Sequence, residues 1–128
     1  MITIKAGGRK LALDFNMAAM DELEGVLGEA IDITNLQDAV VSKLRDRKTL
    51  MGVFYVLARE GEIKAGRKPD FDREALARSI RPAQQLQIQF AVIRAMTEGM
   101  TMETDEGDGD DEVDVVLEEI KKKQGLDG

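Results

Sequence analysis

The chain has 128 residues, of which 43% are hydrophobic and 34% are charged, so it can form one folded domain with a well-solvated surface. It contains neither cysteine nor histidine, which excludes disulfide scaffolds, zinc sites built from these residues, cysteine nucleophiles and serine–histidine triads. We therefore expect a binding module that is not an enzyme and needs no cofactor.

The net charge of −7 is concentrated towards the C-terminus. Residues 1–99 carry 14 acids and 15 bases, whereas residues 100–128 carry 11 acids and 3 bases. An acidic chain repels the phosphates of nucleic acid, so we expect no nucleic-acid partner. No stretch approaches the ~18 apolar residues of a membrane span, and the N-terminus lacks a secretory pattern. We expect a cytosolic protein without a membrane partner.

Two runs of alternating apolar and polar residues flank a glycine pair near the N-terminus. The first run covers residues 2–6, the glycines stand at residues 7–8, and the second run contains Leu11, Leu13 and Phe15. Glycine supplies the positive φ that a tight turn needs. The pattern predicts a β-hairpin, which must pack its apolar face on other elements because an isolated hairpin is marginally stable.

Capping signals then predict the first two of about five helices. Asn16 is a typical N-cap for a first helix that runs from Met17 to about Leu27 and ends at Gly28. A second helix is expected after Thr34 or Asn35. Its apolar face would carry Leu36, Val40 and Leu44.

Three further helices follow. The third begins at or just before Thr49, ends at Gly61, and is apolar nearly all round, which is typical of a central helix. Asp70 is the predicted cap of a short fourth helix, and a fifth covers residues 82–98 up to Gly99. This last helix has two apolar sides: Leu86, Phe90 and Ile93 line one, and Ile88, Val92 and Met96 line the other.

The predicted fold class is mainly α, with about five helices, an N-terminal β-hairpin and a flexible acidic C-terminal region. Residues 1–100 form the helical domain, and residues 101–128 form an acidic linker with a marginal C-terminal helix, which we expect to order on a partner. The predicted structural core consists of Phe15, Leu23, Val53, Phe54, Leu57, Phe90 and Ile93.

A calcium site in the acidic linker is a weak alternative. Asp108, Asp110 and Glu112 fall at positions 1, 3 and 5 of an EF-hand loop, and Glu119 falls at position 12. Val113 stands where the loop requires a glycine. We therefore expect no metal, and a small acidic regulator that binds calcium remains the minor alternative.

A second local feature is a group of basic residues around the loop that follows the third helix: Arg59, Lys64, Arg67 and Lys68. Such a patch could contact the acidic tail of a neighbouring molecule. Ordinary solvated surface is the favoured interpretation, since runs of charge are usually solvated.

The order of the elements carries a resemblance to a known family. A hairpin ending in Leu-Ala-Leu-Asp-Phe-Asn at residues 11–16 precedes a helix with Leu23-Glu24 and Gly28, and a long helix ends in Ala-Met-Thr-Glu-Gly-Met at residues 95–100. Over residues 1–100 this layout resembles the tail assembly chaperones of long-tailed bacteriophages and prophages.

The resemblance implies a function. Proteins of this family are expected to bind the tape measure protein and recruit tail tube subunits in the host cytoplasm, and to be absent from the mature virion; self-association is a further candidate. Many have a longer form made by a ribosomal frameshift. Lys121, Lys122 and Lys123 permit a slippery codon run, and equally they suit a helix C-terminus.

The alternative from another class is a structural virion component, such as a head–tail connector or a tail completion protein. Gene order separates the two, because a chaperone gene is expected between the genes for the tail tube and the tape measure protein.

Overall fold

The computed structural model describes residues 1–31 and 37–101, together with the backbone of residues 111–112. The predicted mainly α fold with an N-terminal hairpin is confirmed, but the described residues contain four α-helices rather than about five. The principal elements are β1 (Ile2–Ala6), β2 (Arg9–Leu13), α1 (Met17–Leu27), α2 (Arg47–Lys64), α3 (Arg73–Arg78) and α4 (Gln85–Gly99).

The hairpin forms as predicted. β1 and β2 are antiparallel, in a register that pairs Ile2 with Leu13 and Ala6 with Arg9. The turn glycines at residues 7–8 have φ values of 61° and 80°, in the left-handed region that favours glycine. Beside β1, on the side away from β2, lies the two-residue parallel strand β3 (Asp111–Glu112). The rest of the predicted acidic linker beyond residue 101, and the predicted C-terminal helix, lie outside the described residues.

Helix α1 begins and ends where the capping signals place it. The side-chain oxygen of Asn16 accepts a hydrogen bond from the Ala19 N–H at 2.9 Å. At the other end Gly28 takes a φ of 78° and its N–H donates to the carbonyl of Glu24. These two capping hydrogen bonds satisfy backbone N–H and C=O groups that have no partner within the helix.

The predicted second α-helix is wrong over the residues that the structure describes there. Instead, a π-helical turn (Gln37–Val41) is followed by a 3₁₀ turn (Ser42–Arg45). The Ser42 hydroxyl donates a hydrogen bond to the Asp38 carbonyl oxygen at 2.7 Å. Such side-chain hydrogen bonds compete with the backbone bonds of a regular α-helix. Val40 and Leu44 still reach the core. The predicted start at residues 34–36 lies outside the described residues.

Helix α2 begins just before Thr49, as predicted, but extends beyond its predicted C-terminal end. Its N-cap is Asp46, whose carboxylate accepts from the Thr49 N–H at 2.9 Å. The predicted stop at Gly61 is wrong, since the helix continues to Lys64. A Cβ at Gly61 would overlap the carbonyl oxygen of Ala12, so this glycine permits close packing of helix on strand and does not end the helix.

The chain segment after β2 is tied to α2 through the backbone. The N–H of Asp14 donates to the Leu57 carbonyl, one turn before Gly61, at 3.1 Å. The hairpin is thus hydrogen-bonded to the interior of a helix as well as packed on it.

The cap predicted for the fourth helix is also wrong. Asp72, not Asp70, caps α3, accepting from the Ala75 N–H at 2.7 Å. Asp70 forms an ion pair with Arg9 at 2.7 Å, joining this loop to the hairpin. Two aspartates two residues apart offer equal local signals, so the sequence pattern alone does not show which of them caps the helix.

The fifth predicted helix corresponds to a 3₁₀ turn (Pro82–Gln84) that leads directly into α4. Arg81, before the proline, is extended with a ψ of 150°, as steric contact with the proline ring requires. Gly99 is the last residue of α4, and a Cβ there would overlap the Phe15 carbonyl oxygen. The end of α4 therefore lies against the segment between β2 and α1.

The core lies where the hairpin, α1, α2 and α4 meet. Among the predicted core residues, Phe15, Leu23, Val53, Phe54 and Leu57 are buried. Ile93 is half-buried against the core. The assignment of Phe90 to the core is wrong, because its side chain is 39% exposed. Helix α4 turns its other apolar side inward, burying Ile88, Ala91, Val92, Ala95 and Met96.

Candidate partner-binding site

The most exposed apolar surface on α4 is a row of three side chains, called here the α4 stripe. Leu86 is 63% exposed, Phe90 is 39% exposed and Ile93 is half-buried. Positions i, i+4 and i+7 share one face of a helix. The sequence marked this row correctly as one side of the helix but assigned its Phe90 and Ile93 to the core.

The surroundings of the α4 stripe contain little charge. Helix α4 has only two charged residues, Arg94 and Glu98, and its remaining polar side chains are glutamines and a threonine. The centres of protein interfaces are depleted in charge and enriched in aromatic residues. The α4 stripe, with Phe90 at its middle, therefore suits contact with another protein.

A groove of about 730 Å³ lies between the start of α2, helix α3 and the start of α4. Its walls include the apolar side chains of Leu50, Met51, Ile80 and Ile88. Four basic residues (Arg47, Lys48, Arg73 and Arg81) and two acidic ones (Asp72 and Glu74) also line it, so its lining carries a net positive charge. We call this feature the basic groove.

The basic groove is held in shape by hydrogen bonds. Arg73 reaches from α3 to the Lys48 carbonyl of α2 with a 2.8 Å hydrogen bond. The Gln84 side chain accepts from the Arg81 N–H at 3.2 Å and donates to the Lys5 carbonyl of β1, also at 3.2 Å. The first bond joins α3 to α2, and the other two hold the turn before α4 and attach it to the hairpin.

Sequence reasoning did not find the basic groove, because three separated elements form it. One signal was present. Arg47 and Lys48 are the first two residues of α2, and that helix has no acidic residue in its first turn. Cations are disfavoured at a helix N-terminus by the helix dipole, although the carboxylate of the N-cap Asp46 directly precedes this pair and interacts favourably with it.

On the opposite side of α2 a charged network surrounds a buried carboxylate. Glu60 is only 8% exposed, and it accepts from Asn16 at 2.9 Å and from Arg59 at 3.0 Å. Arg59 also donates hydrogen bonds to the Glu22 carboxylate from both of its terminal guanidinium nitrogens. Glu22 above all, and Glu60, raise the pKa of Arg59 above its ordinary value, because they stabilise its charged form.

The predicted basic patch is largely neutralised by this network and its neighbours. Arg67 binds the buried Glu62 at 2.7 Å, and Lys64 lies 3.5 Å from Asp14. The pKa of Arg67 is raised, chiefly by its hydrogen bonds to Glu62. Side chains committed in this way join α2 to the segments around it, so they form a structural cluster.

Neither a metal centre nor a membrane span is formed by the part of the chain that the structure describes. Among residues 1–31 and 37–101, no three acidic side chains come together to hold an ion. No helix in those ranges is long and apolar enough to cross a bilayer. The candidate calcium loop at residues 108–119 lies outside the described side chains.

Comparison with known proteins finds no matching family model, curated protein or solved structure. Support for a function therefore comes from the α4 stripe and from the layout of the sequence.

Proposed function

We propose that this protein is a tail assembly chaperone of a long-tailed bacteriophage or prophage. In this role it binds the tape measure protein and recruits tail tube subunits in the host cytoplasm, and it leaves before the virion is complete. It acts by binding alone, with no catalytic step and no cofactor. The sequence layout of residues 1–100 supports this role.

The single structural observation that carries the proposal is the exposure of the α4 stripe. Apolar side chains as large as Leu86 and Phe90 are unfavourable in water, and a row of them marks an interaction surface more often than a single one does. An amphipathic helix of a partner lays its apolar face on such a row through its own i, i+4 and i+7 positions. A long helical tape measure protein offers many segments of this kind.

The exposed methionine at the start of α1 adds to this argument. Met17 is 74% exposed, and it follows closely on Phe15, against which the end of α4 packs. Methionine is flexible and polarisable, so it adapts to varied apolar partners. A chaperone that binds several sites along one elongated protein benefits from such adaptability.

The test is co-expression with the tape measure protein encoded nearby, scored by the amount of that protein that stays soluble and is captured with the chaperone. We expect capture by the wild-type chain and its loss when Leu86→Ser and Phe90→Ser are combined. Ile63→Ser is the matched control, because Ile63 is 52% exposed on a different helix. Equal solubility of the tape measure protein with and without this chain contradicts the chaperone role.

A second measurement concerns the finished particle. Mass spectrometry of purified virions is expected to find the tape measure and tail tube proteins but not this chain. If the chain is present in stoichiometric amount, it is a structural component such as a connector or completion protein, and the chaperone proposal fails.

A further inference from the structure

Arg94 is the charged residue of α4 that borders the α4 stripe. Helix α4 has two charged residues, Arg94 and Glu98. Successive residues of an α-helix are about 100° apart around its axis, so Arg94 lies about 40° from Phe90 and one turn further along. By the same measure Glu98 lies about 80° from Phe90 and about 120° from Leu86. Arg94 therefore stands at the edge of the apolar row, and Glu98 lies outside it.

Arg94 has no acidic partner within the part of the chain that the structure describes. Glu98 follows it by one turn, but a base that precedes an acid by four residues has the less favourable order for a helical ion pair. Glu98 instead lies 3.9 Å from the N-terminal amine of Met1. The side chain of Arg94 is half-buried, and the N–H donors of its guanidinium remain available to another molecule.

The charge beside the α4 stripe has one predominant sign. Residues 81–99 contain two basic residues, Arg81 and Arg94, and one acidic residue, Glu98. Arg81 is exposed just before the turn that leads into α4, and Glu98 is opposed by the amine of Met1. The uncompensated charge of this stretch is positive, so the complementary partner surface combines an apolar row with carboxylates.

We propose that Arg94 selects the partner of the α4 stripe by pairing with a carboxylate of that partner. The partner segment is an amphipathic helix whose apolar row covers Leu86, Phe90 and Ile93. Its aspartate or glutamate stands about one turn from the side chain that meets Phe90. This inference rests on the proposed function, in which the partner is the tape measure protein, and adds to it the charge that must flank the apolar row.

The position of Arg94 makes this ion pair a determinant of specificity. A charge-assisted hydrogen bond becomes stronger where apolar contact keeps water away from it. A partner helix with a basic residue at the same place brings two like charges together, which disfavours its binding. The α4 stripe alone accepts any apolar row of suitable spacing, and Arg94 restricts it to rows that an acid flanks.

Competition inside one cell tests the role of Arg94 with the full-length chain. The wild type and a variant carry different affinity tags and are co-expressed with the tape measure protein encoded nearby, and the ratio of the two chains on the captured tape measure protein is measured by mass spectrometry. We expect the wild type to exceed Arg94→Glu about tenfold. Arg78→Glu is the matched control, because Arg78 is exposed near the end of another helix, and it is expected to compete equally with the wild type.

A neutral variant separates loss of the ion pair from loss of the fold. Arg94→Gln places no second negative charge beside Glu98, and it is expected to compete a few-fold less well than the wild type while its thermal unfolding is unchanged. If Arg94→Gln and Arg94→Glu both compete equally with the wild type, the role of Arg94 is overturned and the chaperone proposal stands. If the wild type itself captures no tape measure protein, the chaperone proposal fails and this inference fails with it.

Cross-linking identifies the carboxylate on the partner. In the Arg94→Lys variant the new amine is joined by a carbodiimide to a carboxylate in direct contact with it, and the linked tape measure peptide is sequenced. We expect an aspartate or glutamate beside apolar residues at i, i+4 and i+7 spacing. Reversing the charge of that residue is expected to weaken binding of the wild type and to restore binding of Arg94→Glu. A cross-link pattern no different from that of the wild type, or a reversal that Arg94→Glu does not rescue, overturns the proposed pair.

Discussion

Helices α2 and α4 both carry apolar residues around most of their circumference. They differ in how much of that apolar surface the rest of the chain covers. Helix α2 contacts β2, α1, α3 and α4, and its large apolar residues from Leu50 to Leu57 are buried or half-buried. Helix α4 contacts β1, β2 and α2, and leaves Leu86 and Phe90 exposed. An all-round apolar pattern thus shows that a helix has several contact faces, but not that its own chain covers all of them.

The two phenylalanines provide the sharpest test of this difference. Phe54→Ala is expected to lower the free energy of unfolding by about 3–5 kcal/mol, because Phe54 is fully buried and its removal leaves a cavity. Phe90→Ala is expected to cost less than half as much, since its side chain is already partly in water. Urea unfolding of the two variants measures both values. Equal losses would show that α4 is enclosed as fully as α2.

A pair of helical glycines tests the close contact between α2 and the hairpin. Gly61→Ala is expected to cost roughly 1–3 kcal/mol or more, because the new Cβ meets the rigid backbone of Ala12. Gly25→Ala in α1 is the control, since no atom lies near its added Cβ, and it is expected to gain about 0.5–1 kcal/mol from higher helix propensity. A stabilising Gly61→Ala would show that α2 and β2 are further apart.

Asn16 separates the contribution of a cap from that of the contact with α2. Asn16→Ala removes the cap of α1 and one hydrogen-bond donor to the buried Glu60. Loss of the cap alone is expected to lower the free energy of unfolding by about 0.5–2 kcal/mol. Loss of the donor to Glu60 is expected to lower it further. Asn16→Ser keeps a capping oxygen but loses the donor to Glu60. If the serine variant is as stable as wild type in thermal unfolding, the bond to Glu60 contributes nothing measurable.

The smallest expected effect on stability concerns the N-terminus of α2. This helix has a side-chain N-cap, whereas α4 begins without one. The hydrogen bond from the Thr49 N–H, followed by that from its hydroxyl, lowers the pKa of Asp46. A lowered pKa in the folded state stabilises the protein above the ordinary aspartate pKa of about 3.9, and this contribution is lost progressively as the pH falls from there through the lowered folded-state pKa.

Comparing Asp46→Asn with wild type isolates this contribution. The melting temperatures of the two proteins are expected to differ most near pH 7 and to converge progressively as the pH falls below about 3.9. A difference that stays constant over that range would show that ionisation of Asp46 plays no part.

Local signals predicted those parts of the fold that depend on one or two residues. The hairpin turn needs positive φ at residues 7–8, and the ends of α1 need an oxygen at Asn16 and a left-handed residue at Gly28. Each requirement is met by a residue type that can be recognised in the sequence. The same approach gave the wrong role for Gly61, because a glycine that ends a helix and one that lets a strand approach are identical in sequence.

The candidate binding surfaces were predictable only in part. The sequence identified both apolar sides of α4, but which side faces inward depends on where β1 and α2 lie. The side with Ala91 and Ala95 is inward, and these small residues allow closer packing than Leu86 and Phe90 would. The basic groove could not be derived from the sequence, beyond the pair of cations at the start of α2, since its residues become neighbours only when α2, α3 and α4 have packed.

The hydrogen bond from the Asp14 N–H to the Leu57 carbonyl has a consequence for local opening. Asp14 lies between β2 and α1, in a short connection outside both elements, where amide protons ordinarily exchange quickly with solvent. Here the amide is released only when β2 separates from α2, which also requires breaking the close contact at Gly61. Its deuterium exchange should therefore be as slow as that of the α2 interior, so this one loop proton reports the opening of the whole hairpin–helix unit.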